Sequence, residues 1–175
     1  MKRAVLFTLL AAVLFSVAAS ATTVVYVPMR KSLQLSDLVL VGHVLALEPA
    51  YDREGGVITK VTLLVEESMK GDVGPGEILT FAAWGGSIDG LHVETVGEAQ
   101  YRLGQKVLVQ LEDVAGDLHT LGLSFGKWDV TNDGKGQAWA VRSLYDLNMV
   151  GVTEAPVTRV RVDAVRDMAH GLSAY

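Results

Sequence analysis

The sequence predicts a mainly β domain, a small barrel or sandwich, and three observations carry that expectation. Five or more short apolar runs are separated by Gly-rich turns. Gly42 interrupts a run of branched residues, where a glycine marks a bulge or a barrel corner. The 175 residues include no cysteine, so the fold must rest on an apolar core and not on disulfides.

The chain opens with Lys2 and Arg3, followed by an apolar run from Ala4 to about Ala19. Ala19-Ser20-Ala21 is the small-x-small pattern of a signal peptidase site. The run is shorter than the ~20 residues of a membrane span. Residues 1–21 are therefore expected to be a secretory signal peptide cleaved after Ala21, with an uncleaved anchor as the alternative. The product would be periplasmic or extracellular and would begin at Thr22. Removing 21 of 175 residues leaves 154, enough for one domain that buries roughly 70% of its unfolded surface. Without Lys2 and Arg3 the net charge moves from −5 to −7. An acidic chain with no basic stripe is a poor nucleic-acid binder. No second apolar run is long enough to span a membrane, and thiol nucleophiles and thiolate metal sites are excluded.

Pro28 to Ser36 reads as one or two helical turns, since proline suits the first helical position. Asp37 to Glu48 is the first strand, apolar on both parities and so expected to be covered on both faces. After the turn Pro49 to Gly56 comes a long second strand, Val57 to Met69. Val57, Val61, Leu63 and Val65 share one face; Lys60, Thr62 and Glu66 make the other wet. The turn-rich Lys70 to Gly76 leads to a third strand, Glu77 to Trp84. Gly85 to Gly104 is irregular, with a short strand at Leu91 to Val96. Lys106 to Asp113 and Asp117 to Leu123 form a tight hairpin, with a second bend expected at Gly122. Trp128 to Val130 and Gln137 to Val141 flank a further hairpin turn. At the end, Val162, Val165, Met168, Ala169 and Leu172 form one helical stripe that Asp163 can cap and Gly171 can end. Residues 22–145 are read as the β domain with its hairpin extension, and 146–175 as a tail with a short helix.

Few motifs carry chemistry. His43 lies on the first strand beside Val41 and Leu45, with no second ligand at strand spacing, and reads as a hydrogen-bonded structural histidine. His92, His119 and His170 stand singly, so no metal site is expected. Ser87 follows Gly85-Gly86 but lacks the G-x-S-x-G elbow; a grouping with His92 or His119 is the remote hydrolase alternative. KGDVGPGE lacks the Gly-Lys-Ser/Thr ending of a phosphate loop. Asp129 to Gly134 resembles the start of a calcium loop, but Ala140 stands where the bidentate Glu belongs, so a hairpin turn is favoured. Arg161, Arg166 and Asp167 read as a solvated helix face.

Three segments, "SDLVLVGHVLAL", "VTLLVEESMKGDVG" and "YRLGQKVLVQLEDVAGDLHTLGLSFGKWDV", together resemble the N-terminal domain of tissue inhibitors of metalloproteinases and related netrin-like modules, over about Thr22 to Val130. The "MKGDVG" and "GLSFGKW" patterns are also similar to those of uncharacterised secreted bacterial proteins. The resemblance implies a five-stranded OB-fold-like closed barrel with an extra hairpin and a C-terminal helix. In those inhibitors the mature amino terminus binds the target's catalytic zinc, and that terminus is a disulfide-pinned cysteine. Here Thr22-Thr23 stands in its place and the cysteines are absent.

The expectation for function is an exported, non-enzymatic binding module with no cofactor, whose partner is an envelope component or protein, a protease included. The surfaces singled out are the amino-terminal segment, with Thr22 and Thr23, and the loop Trp84 to Gly97, with Trp84 and His92. The alternative is a metalloprotease regulator acting through the mature terminus.

Overall fold

In the computed structural model residues 22–173 are described, and the signal-peptide expectation for residues 1–21 lies outside them. The chain is mainly β. Strand β1 (Thr22–Val25) and helix α1 (Met29–Leu35) precede the long antiparallel pair β2 (Leu38–Tyr51) and β3 (Val57–Lys70). Then come β4 (Ile78–Ile88), β5 (Leu91–Glu94), β6 (Lys106–Val114) and β7 (Asp117–Thr120). A 3-10 turn (Leu123–Gly126) leads to β8 (Lys127–Asn132) and β9 (Ala138–Val141). The chain ends with β10 (Leu147–Val150), β11 (Arg159–Arg161) and α2 (Val162–Ser173).

Five strands form a ring. β2 pairs antiparallel with β3 and β6, β3 with β4, and β6 with β7. The ring is completed where β7 meets β4 in parallel, through Ala82 and His119. Gly42 permits the bend in β2. The β2–β3 register shifts between Val41 and Gly42, and a Cβ on Gly42 would stand 2.3 Å from the Leu64 carbonyl oxygen. Only a residue without a side chain tolerates that backbone approach.

Apolar residues fill both sides of the ring wall. Leu40, Val44, Val61, Leu63, Phe81, Val107 and Val109 pack inside. On the outside, Val39, Val41, Leu108 and Trp128 meet Met29 and Leu33 of α1 and Val162, Val165 and Ala169 of α2. The dual apolar parity of β2 therefore serves two cores, but only as far as Val44. Beyond it β2 loses β6 as a neighbour, and Leu45 is 48% exposed.

Polar contacts lock the additions to the ring. The Lys70 ammonium donates to the Leu33 and Gln34 carbonyls, 3.1 and 2.9 Å away, holding the free carbonyls at the end of α1. Arg166 of α2 keeps the partly solvated position expected of it and also clasps Glu67 of β3 through Nε and Nη2. Three further details differ from expectation. Strand β7 stops at Thr120, and Gly122 is left-handed (φ 58°) at the start of the 3-10 turn and does not bend a strand. Asp163 lies inside the first turn of α2, accepting from the Ala164 N–H at 2.7 Å. Gly171 lies within α2 and does not end it. The expected Asn-Asp-Gly turn joins β8 to β9, with the Asp133 carboxylate accepting from the Lys135 and Gln137 N–H groups.

The tail is tied to the start of the chain. β10 pairs in parallel with β1, matching Thr22 to Leu147 and Val25 to Val150. Residues 146–150 therefore belong with the amino-terminal segment in space, a pairing that no local pattern signals.

Candidate functional site

The site is built at the far end of β4. Trp84 is followed by Gly85 and Gly86, both at positive φ (91° and 142°). A Cβ on Gly85 would meet the Val93 carbonyl oxygen at 2.6 Å, so glycine lets β4 and β5 approach here. The two strands turn over Asp89 and Gly90, also both at positive φ, as a two-residue hairpin requires.

Pairing of Ala82 with His119 places Trp84 and His119 side by side. Their rings stack at 4.3 Å between centroids and 15° between planes. His119 is 5% exposed and its Nδ1 has no hydrogen-bond partner in the protein. Burial holds the imidazole below its ordinary pKa, against the pull of Asp117, Glu112 and Asp52. Trp84 is 37% exposed and stands between two clefts, lining both.

One cleft, of about 590 Å³, lies on the His119 side, between the β2–β3 and β6–β7 turns. Arg53 spans it, reaching the Ala115 carbonyl at 3.4 Å and Asp117 at 3.5 Å. The other, of about 640 Å³, lies beneath the β4–β5 hairpin and is walled by Trp84, His92, Val96, Glu98, Tyr101 and Asp146.

Glu98 is the unusual group there. It is 7% exposed; Oε1 accepts from the Ala99 N–H at 2.9 Å, while Oε2 is buried and makes no hydrogen bond of good geometry. Burial pushes the carboxyl up to about 7, with the Ala99 and Trp84 backbone N–H groups restraining the rise. Tyr101 closes the floor. Its hydroxyl bonds the Thr120 hydroxyl at 2.7 Å, and burial raises its pKa well above the usual phenol value.

The structure gathers most of the residues singled out from sequence, in changed roles. Trp84 and His92 line the larger cleft. His92 is exposed, and its Nδ1 lies 2.8 Å from the Ser87 hydroxyl across the β4–β5 ribbon. Thr22 sits behind the cleft wall, donating its hydroxyl to the Val96 carbonyl. Thr23 accepts from the Asn148 amide at 3.3 Å. Thr22–Val25 is thus a strand paired in parallel with β10. His43 lies outside the site, in an exposed cluster in which Glu66 takes both His43, at 2.9 Å, and Lys106. The hydrogen bond from Lys106 leads in holding the Glu66 carboxyl below its usual range. Asp129, the first residue of the calcium-like stretch, instead takes Lys127 and Gln105. Among the described residues no group of three or more His, Asp or Glu is placed to hold a metal ion.

Sequence reasoning overlooked Glu98, which stands alone between Gly97 and Ala99 with no periodic pattern to mark it. His119 was noticed only as a remote catalytic partner. Its stacking depends on strand closure between residues 37 positions apart in the chain. The chain matches no protein-family model, no curated protein and no solved structure.

Proposed function

We propose that this chain is an exported binding module on an OB-fold-like barrel, with its contact surface around Trp84. The ring order supports the barrel: the first, second, third, fifth and fourth ring strands follow one another, with the third and fifth parallel. The observation that carries the binding reading is the position of Trp84. A partly exposed indole stands on a strand between two clefts, with the buried carboxyl of Glu98 in the wall of the larger one. Aromatic anchors beside desolvated polar groups dominate contact energies. The test is retention of an envelope component by immobilised protein beginning at Thr22, compared with Trp84→Ala. Loss of retention by a folded Trp84→Ala, monitored below its own Tm, supports the reading; no retained component, or equal retention by the variant, overturns it.

A second reading, regulation of a metalloprotease through the mature terminus, is favoured by one observation. Thr22 is anchored to Val96 and β1 is paired along β10, so hydrogen bonds supply restraint that disulfides would otherwise give. This reading predicts that residues added ahead of Thr22 abolish inhibition. Absence of inhibition by the untagged protein across a panel of zinc proteases counts against it.

The Ser87–His92 contact keeps a hydrolase as the remote third reading. Both residues are exposed on a two-stranded ribbon, a setting that offers little preorganisation. Esterase activity lost in Ser87→Ala would support it.

A further inference from the structure

We infer that residues 95–101 form a proton-controlled latch, closed along the larger cleft while Glu98 is protonated and released as Glu98 ionises. The inference goes beyond the binding reading: it concerns the fold's own response to pH, and its test needs no partner.

This strap lies outside every strand and helix, yet four elements meet on it. The Thr22 hydroxyl of β1 donates to the Val96 carbonyl, and the Ser124 N–H of the 3-10 turn donates to the Gly97 carbonyl at 3.0 Å. Gly97 is left-handed (φ 85°), and a Cβ there would stand 2.8 Å from the Leu147 side chain of β10 and 3.2 Å from Thr22. The Glu98 carboxyl takes the backbone N–H groups of Ala99 and of Trp84 in β4. Residues 96–98 thus join β1, β10, the 3-10 turn and β4 through single contacts and no ladder. A segment held this way opens locally before the ladders of the ring do.

The charge on Glu98 sets how firmly the strap is held. The residue is more than nine-tenths buried. A buried carboxylate needs a cation or several donors in place of its water. Glu98 has two backbone N–H groups, and no lysine or arginine lines the cleft. β5 brings His92 and Glu94 to the cleft, and the approach to β10 brings Asp146. Tyr101, on the strap itself, is bonded to Thr120. Lys127 of β8, over the Tyr101 ring, is already paired with Asp129. His119 of β7 lies against the Trp84 ring, and burial favours its neutral form.

Opening the strap returns the carboxyl to water. The closed form holds its proton up to about pH 7, whereas a solvated glutamate releases it near 4.5. Closure is therefore firmest below pH 4.5 and weakens as the pH rises from 4.5 through 7. Over that range the opening equilibrium grows by on the order of 100-fold. His119 works in the opposite direction, since acid disfavours its buried ring.

The test is amide hydrogen exchange of protein beginning at Thr22, with rates corrected for the intrinsic pH dependence of exchange. The reporters are the Glu98, Ala99 and Ser124 amides, all bonded within or to the strap. Leu108 and Val109, flanked by β2 and β8, report global unfolding. Between pH 5.5 and pH 8.5 the reporters should lose roughly tenfold or more in protection. At pH 8.5 they should also exchange roughly tenfold or more faster than Leu108 and Val109. In Glu98→Gln, which cannot ionise, the decline should fall below about twofold. The wild-type Glu98 carboxyl carbon, followed by NMR, should titrate near the pH at which the loss of protection levels off. Reporters as well protected at pH 8.5 as Leu108 and Val109 would make the effect global and overturn the latch. An equal decline in a folded Glu98→Gln, or a Glu98 carboxyl that titrates near 4.5, would overturn it as well.

Discussion

The indole of Trp84 lies flat on the imidazole of His119, 4.3 Å away and inclined by 15°. The stack covers the one parallel contact that completes the strand ring, Ala82 to His119. Aromatic pairs of this kind add about 0.5–1.5 kcal/mol beyond their buried area. Trp84 is therefore both a structural cover and the exposed element of the proposed contact surface.

Acid should weaken this closure. The folded pKa of His119 is lowered below 6.5 by burial, so the unfolded chain takes up the proton first. Its neutral form contributes stability above pH 6.5 that is lost as the pH falls through and below that value. Between pH 7.5 and pH 5, wild type should lose more stability in urea denaturation than His119→Leu does. Equal losses would remove His119 from the acid response.

Glu98 should act with the opposite sign. Its folded pKa of about 7 lies above the ordinary 4.5, so the folded chain holds the proton more tightly. Stability is highest below pH 4.5 with respect to this group, falls between pH 4.5 and 7, and stays low above. The cost at pH 8 is on the order of 3 kcal/mol, from a 1.36 kcal/mol equivalent per pKa unit. Glu98→Gln keeps the acceptor for the Ala99 N–H and loses the charge, so it should stabilise the protein at pH 8 by roughly 1–3 kcal/mol. The gain should vanish at pH 4. A destabilised variant at pH 8 would contradict the assignment.

Gly42→Ala should be among the most damaging single changes in β2. Its Cβ would fall 2.3 Å from the Leu64 carbonyl oxygen and 2.9 Å from the Leu63 side chain. Relief requires separating β2 from β3, and a cost of about 3 kcal/mol is expected from overpacking plus lost pairing. Gly55→Ala, in the β2–β3 turn with no atom near its Cβ position but φ at 87°, should cost less, about 1 kcal/mol. A comparable cost at the two positions would argue against close approach as the reason for glycine at 42.

Arg142 ties the 3-10 turn, β8 and the segment ahead of β11 together through rings and carbonyls. Its guanidinium lies 4.0 Å from the Phe125 ring and 3.9 Å from the Trp128 ring, and donates to the Phe125 and Val157 carbonyls. Burial pulls its pKa down to about 9. Arg142→Ala should destabilise by about 3 kcal/mol, because the buried Phe125 carbonyl and the half-buried Val157 carbonyl lose their donor and two rings lose a face. Arg142→Lys should recover less than half, since an ammonium cannot stack as a planar group. Full recovery by lysine in thermal denaturation would reduce the site to simple charge.

The amino-acid sequence by itself determined the strands from β2 to β9, because period-two alternation, turn residues and the mid-strand Gly42 are local signals, whereas the short strands β1, β10 and β11 carry no such signal. It also determined the absence of disulfides and the placement of α2. The two-core role of β2 was legible in its dual apolar parity. The tertiary structure alone decided how far that coverage runs, that β1 pairs with β10, that Arg166 reaches Glu67, and that Trp84, His119 and Glu98 meet at one end of the ring. Residues such as Ala82 and His119 come together through closure of the sheet, and no periodicity encodes closure. The unsatisfied oxygen of Glu98 is likewise a property of burial, which exists only once distant strands have excluded water from around it.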